Sequence, residues 1–196
     1  MRYISRNLPV SRFFTILGMI FTGVIGTFLH FLFQWTANHP AIALFSPVNE
    51  SIWEHLKLLF FPVLLFTSLE CILYKRRVSG FLWARTMALL AGLGFIIAGF
   101  YIYSGILGTN YTAADIGLFV ISILITFLLT PYLQKRQKSF ASPTGLAIFI
   151  LLLLTALFFL FTFYPPHIGL FMDPAAKDYG ILRQPGAYES LLYDLF

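Results

Sequence analysis

The reactive side chains of this sequence are four histidines and eight carboxylates, set in a chain that is otherwise mostly apolar. Imidazole combined with carboxylate is the ligand set of catalytic zinc sites, in which three protein ligands leave a fourth position for water. The metal lowers the pKa of that water towards about 7, and a nearby glutamate that does not bind the metal can take its proton. The metal ligands that we expect are His30, His55, His167 and Asp173, with His39 as a substitute.

The densest polar run is the segment SPVNESIWEHLK at residues 46–57. Ser46-Pro47 is typical of a helix start, so we expect a helix to begin there and to carry this run. Glu50, Glu54 and Lys57 would then lie on one stripe of that helix. We interpret Glu50 as completing or tuning the metal shell, Glu54 as the general base and Lys57 as the group that holds an anionic headgroup.

A structural role could explain the same run. Glu54 and Lys57 could form a satisfied ion pair while His55 donates a hydrogen bond to a neighbouring helix, and the sequence leaves both interpretations open. No His-Glu-x-x-His or His-x-x-x-His motif occurs. The metal hypothesis therefore rests on the shared depth of the histidines in the membrane and on the side at which they and the acids lie. Glu70 is expected to pair with Lys75 or Arg85.

Membrane-spanning helices must position these groups. The chain of 196 residues is 59% apolar and 11% charged, whereas a soluble domain has about 25% charged residues. This excludes soluble, disordered and nucleic-acid-binding classes, and a single cysteine excludes an intramolecular disulfide. Helices of about 20 apolar residues cross a bilayer, which predicts an all-α polytopic bundle, one membrane domain over 1–196, with five spans near 13–35, 50–74, 81–103, 115–133 and 144–164.

The distribution of charge predicts the direction of these spans. Ten of the 13 basic residues fall in or beside the N-terminus and the two even-numbered loops, which places these regions inside. The tail at 165–196 is then outside, and all four histidines and seven of the eight acids belong to that outer side. His30 and His55 come to matching depth on consecutive antiparallel helices. We expect a multi-pass protein of a bacterial cytoplasmic membrane.

Several motifs resemble known families. The run Phe45–Lys57, together with Gly26–His30, Asn38-His39-Pro40 and Pro165-Pro166-His167, resembles an uncharacterised bacterial family of small multi-pass membrane proteins. Residues 49–56 are also similar to a segment of the progestin and adipoQ receptor group, which is related to the alkaline ceramidases. The second resemblance implies zinc-dependent hydrolysis of a lipid amide. The alkaline ceramidases perform this reaction with a bundle of seven helices.

Three functions follow as hypotheses. The first is a membrane-embedded hydrolase, dependent on Zn²⁺, acting on a lipid or lipid-linked substrate that enters from the outer leaflet. The second is a non-enzymatic component that binds or transports a small solute through the polar run. The third is a scaffold or homo-oligomer packed through glycine-rich helix faces, where small residues allow close approach: Gly18, Gly23 and Gly26, or Gly92, Gly94 and Gly99.

Overall fold

A computed structural model describes residues 12–74, 78–136 and 143–181. Within these ranges the chain is helical, with no strand beyond an isolated bridge between Met172 and Tyr179. Five helices are long and apolar enough to cross a membrane, which confirms the predicted fold class and number of spans. The direction of the spans and the single-domain assignment stay predictions. The helices are α1 Arg12–Trp35, α2 Pro40–Ala43, α3 Ile52–Tyr74, α4 Val78–Leu107, α5 Thr112–Arg136 and α6 Thr144–Phe163.

Helix α3 is the centre of the bundle. In its most apolar stretch 61% of the residues are buried, against 22–28% in the other four long helices. It packs against α1, α4, α5 and α6, and Leu59, Phe60 and Val63 have no exposed surface. Buried polar side chains need hydrogen-bond partners from their neighbours. The buried polar groups of α3 are therefore in contact with protein, whereas Ser68 lies on an exposed face with Leu65, Leu69 and Ile72.

A close contact between α1 and α3 involves a glycine and a proline. Pro62 has no N–H, so the carbonyl of Leu58 lacks its usual partner one turn along α3. Gly26 of α1 lies against that carbonyl, and a Cβ added to it would be 2.6 Å from the Leu58 oxygen. Helix α3 runs through Pro62 without a break.

Most of the glycines expected at an oligomer interface pack within the chain instead. A Cβ added to Gly18 would meet Phe127, one at Gly92 would meet Thr126, and one at Gly99 would meet Leu118. Only Gly94, among the six named above, has nothing within 4 Å of an added Cβ. Close helix packing within one chain is therefore enough to explain why glycine occupies these positions. The homo-oligomer stays a prediction.

The start of α3 differs from the prediction. The helix begins at Ile52 rather than at Pro47, and residues 44–51 form a loop, which we call the outer loop after its predicted side of the membrane. The hydroxyl of Ser46 donates a hydrogen bond to the carbonyl of Leu29 in α1 and does not cap a helix. A contact with a distant segment has thus overridden the local preference of Ser46-Pro47, and Glu50 lies on this loop.

The segment after α6 covers the same end of the bundle. Helix α6 ends at Phe163, before Pro165-Pro166, and residues 164–181 fold back over α3. The amide of Trp53 donates to the carbonyl of Leu170 at 3.1 Å, and the ring of Phe171 lies 4.9 Å from that of Trp53. We call residues 164–181 the return segment. Residues 182–196 of the predicted tail lie outside the described ranges.

The glycine contact gives a first prediction. We expect Gly26→Ala to lower the free energy of unfolding by about 1–3 kcal/mol, because the new methyl group overlaps the Leu58 oxygen. Gly94→Ala is the matched control, and we expect it to be neutral or stabilising by up to about 1 kcal/mol. Thermal unfolding of both variants in detergent micelles measures the difference. An equal loss in the two variants would contradict the packing described.

Candidate metal centre

Three of the sequence-predicted residues meet at the outer-loop end of the bundle. His30 comes from α1, Glu50 from the outer loop and His55 from the first turn of α3, and a ligand atom of each lies within 4.8 Å of the other two. Nε2 of His55 is 3.3 Å from Oε2 of Glu50. In a tetrahedral zinc site with bonds of about 2.0–2.1 Å, ligand atoms are about 3.3 Å apart. His55 and Glu50 thus have the spacing that a zinc ion requires, and a ligand atom of His30 lies within 4.8 Å of both.

The hydrogen bonds of His55 require a cation beside Glu50. Nδ1 of His55 is 3.0 Å from the carbonyl oxygen of Ser51, which only accepts, so Nδ1 carries a proton. In a neutral imidazole Nε2 would then present a lone pair to the carboxylate of Glu50, and two acceptors 3.3 Å apart repel each other. A proton on Nε2 or a metal ion shared by the two residues removes this conflict.

His30 contributes a buried nitrogen to the same place. Its ring centroid is 5.2 Å from that of His55. Nδ1 of His30 is buried and has no hydrogen-bond partner among the described residues. A buried polar atom without a partner costs about 1–3 kcal/mol. Binding of a ligand by this ring would offset that cost.

A polar cavity of about 190 Å³ adjoins the cluster. His30 and Glu50 line it, together with three carboxamide side chains, those of Gln34, Asn38 and Asn49. At about 30 Å³ per water molecule, it has room for roughly six waters or a small polar group. No motif in the sequence marks these carboxamides, but Gln34 lies one helical turn after His30, and that spacing could have identified it.

Glu50 is suited to bind a cation. It lies outside the spanning helices, and its side chain is 57% exposed. The hydrogen bond from His55 lowers the pKa of the Glu50 carboxyl group below its ordinary value of 4.5, although partial burial acts in the opposite direction. The side chain is therefore a carboxylate at neutral pH.

Glu54 and Lys57 form the buried ion pair that the sequence allowed as an alternative. Nζ of Lys57 is 2.6 Å from Oε2 of Glu54, and it also donates to the hydroxyl of Thr162 at 2.6 Å and to the carbonyl of Ala43 at 2.8 Å. Oε2 of Glu54 accepts a hydrogen bond from the amide of Val48 at 3.0 Å. The pair thus ties the outer loop and α6 to α3. Neither residue lines the cavity, and their catalytic roles stay predictions.

The remaining predicted ligands lie outside the cluster. His39 is exposed and caps α2, where its Nδ1 accepts from the amide of Ala41 at 3.2 Å. The ring of His167 packs against Tyr179, with 4.8 Å between the centroids. Asp173 accepts hydrogen bonds from backbone amides, among them that of Glu50 at 3.0 Å. Within the described ranges the structure does not bring these three into contact with a common ion site.

At the opposite end of the bundle, Glu70 pairs with Arg85, which is one of its two expected partners. Oε2 of Glu70 is 3.0 Å from a guanidinium nitrogen of Arg85, and both residues are 2% exposed. The guanidinium also stacks on Phe127, with 4.4 Å to the ring centroid. Lys75, the other expected partner, lies outside the described residues. The pair gives this charge deep in the bundle a partner, and the transport component stays a prediction.

Comparison with known proteins assigns the chain to a family. A family model described as a family of unknown function, DUF6512, matches residues 1–181. The chain belongs to this family. No curated protein and no solved structure matches it, so the similarity to the progestin and adipoQ receptor group stays a prediction. DUF6512 carries no activity that could be transferred, and the function must be argued from the site.

The ion pair gives a prediction for this DUF6512 member. We expect Lys57→Met to lower the free energy of unfolding by about 3–5 kcal/mol, because it leaves the Glu54 carboxylate buried without its partner. The double variant Glu54→Gln, Lys57→Met should recover part of that loss, since no uncompensated charge remains. Lys177→Met, at an exposed lysine, is the control. Chemical unfolding in mixed micelles gives the free energies of unfolding. Equal stability of Lys57→Met and Lys177→Met would rule out a structural ion pair.

Proposed function

We propose that this protein is a zinc-dependent membrane hydrolase, with His30, Glu50 and His55 as the protein ligands of the metal. The observation that carries the proposal is the convergence of three ligand atoms within 4.8 Å. The contact between Nε2 of His55 and the Glu50 carboxylate, which a shared metal ion would satisfy as well as a proton does, is consistent with it. Two imidazoles and one carboxylate are also the protein ligands of known zinc hydrolases, where water occupies the fourth position.

The second nitrogen of His55 fits the role of a zinc ligand. Metal-bound histidines usually donate their other ring N–H to a carboxylate or a backbone carbonyl, which fixes the tautomer and the ring orientation. Nδ1 of His55 makes such a bond with the carbonyl of Ser51 at 3.0 Å. Nε2 is thereby directed to the Glu50 side, where it can bind the metal.

The proposed reaction is hydrolysis of an acyl bond. Zinc would lower the pKa of its bound water, and the second carboxylate oxygen of Glu50 would accept the proton. The water oxygen would attack the acyl carbon, the bond to the leaving oxygen or nitrogen would break, and the proton held by Glu50 would pass to that leaving group. We assign proton transfer to Glu50 rather than to Glu54, because Lys57 and the amide of Val48 already bind the Glu54 carboxylate.

The substrate that we propose is a lipid or a lipid-linked molecule. Phe28, Phe31 and Trp35 form an exposed aromatic surface on α1, and the ring of Phe31 is 4.9 Å from that of His30. An acyl chain can reach the site along this surface while the polar part of the substrate enters the cavity. Lys57 has no exposed surface, so carboxamides rather than this lysine would hold the headgroup.

Metal analysis of the purified protein tests the ligand set. We expect one zinc per chain after reconstitution with Zn²⁺, and less than one tenth of that in His30→Ala and His55→Ala, because each substitution removes one of three ligands. His39→Ala and His167→Ala are matched controls, since both residues lie outside the cluster, and should keep the metal. Zinc content that is unaffected by His55→Ala would sink the proposal.

Isotope incorporation tests hydrolysis directly. The protein is reconstituted in nanodiscs of extracted lipids with water labelled with oxygen-18, and released fatty acids are analysed by mass spectrometry. We expect one labelled oxygen in each new carboxylate, and loss of the signal in His55→Ala or on removal of zinc by a chelator. Zinc-loaded protein that releases no labelled acid from any acyl lipid would contradict the hydrolase and leave a metal-binding role.

A further inference from the structure

Asp173 of the return segment is bound to the backbone of a proposed metal ligand. Asp173 is 7% exposed. Its Oδ2 accepts the hydrogen bond from the amide of Glu50 at 3.0 Å, while Oδ1 accepts those of Ala175 and Ala176 at 2.8 and 3.0 Å. All three bonds run to backbone amides, so the carboxylate is used in holding two chain segments together.

The return segment that carries Asp173 is hydrogen-bonded both within itself and to the bundle. The amide of Asp173 donates to the carbonyl of Asp178 at 2.9 Å, and the amide of Lys177 donates to the carbonyl of Asp173 at 2.9 Å. The same segment accepts the amide of Trp53 at the carbonyl of Leu170. Asp173 is therefore an anchored acceptor, and its bond to Glu50 joins residues 123 positions apart in the sequence.

We infer that Asp173 is a positioning residue, which holds Glu50 in place so that its carboxylate meets His55 and the metal. This inference rests on the proposed function. The side chain of Glu50 is largely exposed, and the contact with His55 is its only side-chain bond among the described residues. The backbone of Glu50 sets where its carboxylate can reach, and Asp173 holds that backbone through the amide N–H.

A change of zinc affinity is the expected consequence. Residues that orient metal ligands typically contribute about 10–100-fold to metal affinity when they are mutated. In Asp173→Asn one acceptor oxygen is replaced by an NH₂ group, so the bonds to Glu50 and to Ala175 and Ala176 can no longer all form. We expect the zinc affinity of Asp173→Asn to fall about 10–100-fold while one zinc per chain still binds at saturation.

The experiment is a double-mutant cycle on the full chain in detergent, with zinc affinity measured by competition with a chromogenic chelator. Asp173→Asn is combined with Glu50→Ala, and Asp178→Asn is the control for loss of one acid in the return segment. If Asp173 acts by positioning Glu50, its substitution lowers affinity only when the Glu50 carboxylate is present. Equal losses in both backgrounds, no loss in either, or complete loss of zinc from Asp173→Asn would overturn the inference.

Hydrogen exchange separates this inference from the proposed function. In metal-free protein we expect the amide of Glu50 to exchange at least 10-fold faster in Asp173→Asn than in the original chain or in Asp178→Asn. If the original chain binds no zinc and this acceleration is still seen, the hydrolase proposal fails and the positioning of Glu50 by Asp173 stands. Unchanged exchange at Glu50 would overturn the positioning whether or not zinc binds.

Discussion

The outer loop brings irregular backbone to a covered end of a membrane bundle, and its polar groups must find partners there. Neither a helix nor bulk water supplies those partners, and an unpaired buried backbone group is costly. Side chains supply them instead. Glu54 accepts the amide of Val48, Lys57 donates to the carbonyl of Ser46, and Asp173 accepts the amide of Glu50. The charged residues around the loop therefore hold the backbone from which the proposed metal ligand projects.

This arrangement divides the charged residues of the run at 46–57 into two groups. Glu54 and Lys57 satisfy each other and the outer loop, in surroundings where neither has more than 2% exposed surface. Glu50 and His55 face each other at 3.3 Å beside a polar cavity, and their contact needs a cation. The first pair can be understood as structure alone. The second leaves a place for chemistry, which is why we assign function to it.

Hydropathy alone predicted the spanning helices, because lipid requires long apolar segments whose backbone groups are paired internally. That His30 and His55 lie side by side followed from the same count of residues along the helices. The start of α3 did not, because the hydroxyl of Ser46 bonds to Leu29 in another helix. The environments of His167 and Asp173 depend on the return segment, whose fold rests on contacts such as that of Trp53 with Leu170. Such contacts between distant segments leave no periodic pattern in a single sequence.

We propose that a metal ion, rather than a proton, joins His55 to Glu50 and His30. X-ray absorption at the zinc K edge, on protein loaded with one equivalent of Zn²⁺, identifies the atoms bound to the metal. We expect a first shell of nitrogen and oxygen at about 2.0–2.2 Å with the multiple scattering of two imidazoles. A shell of water oxygens without imidazole scattering would contradict it, and would leave His55 as a protonated partner of Glu50.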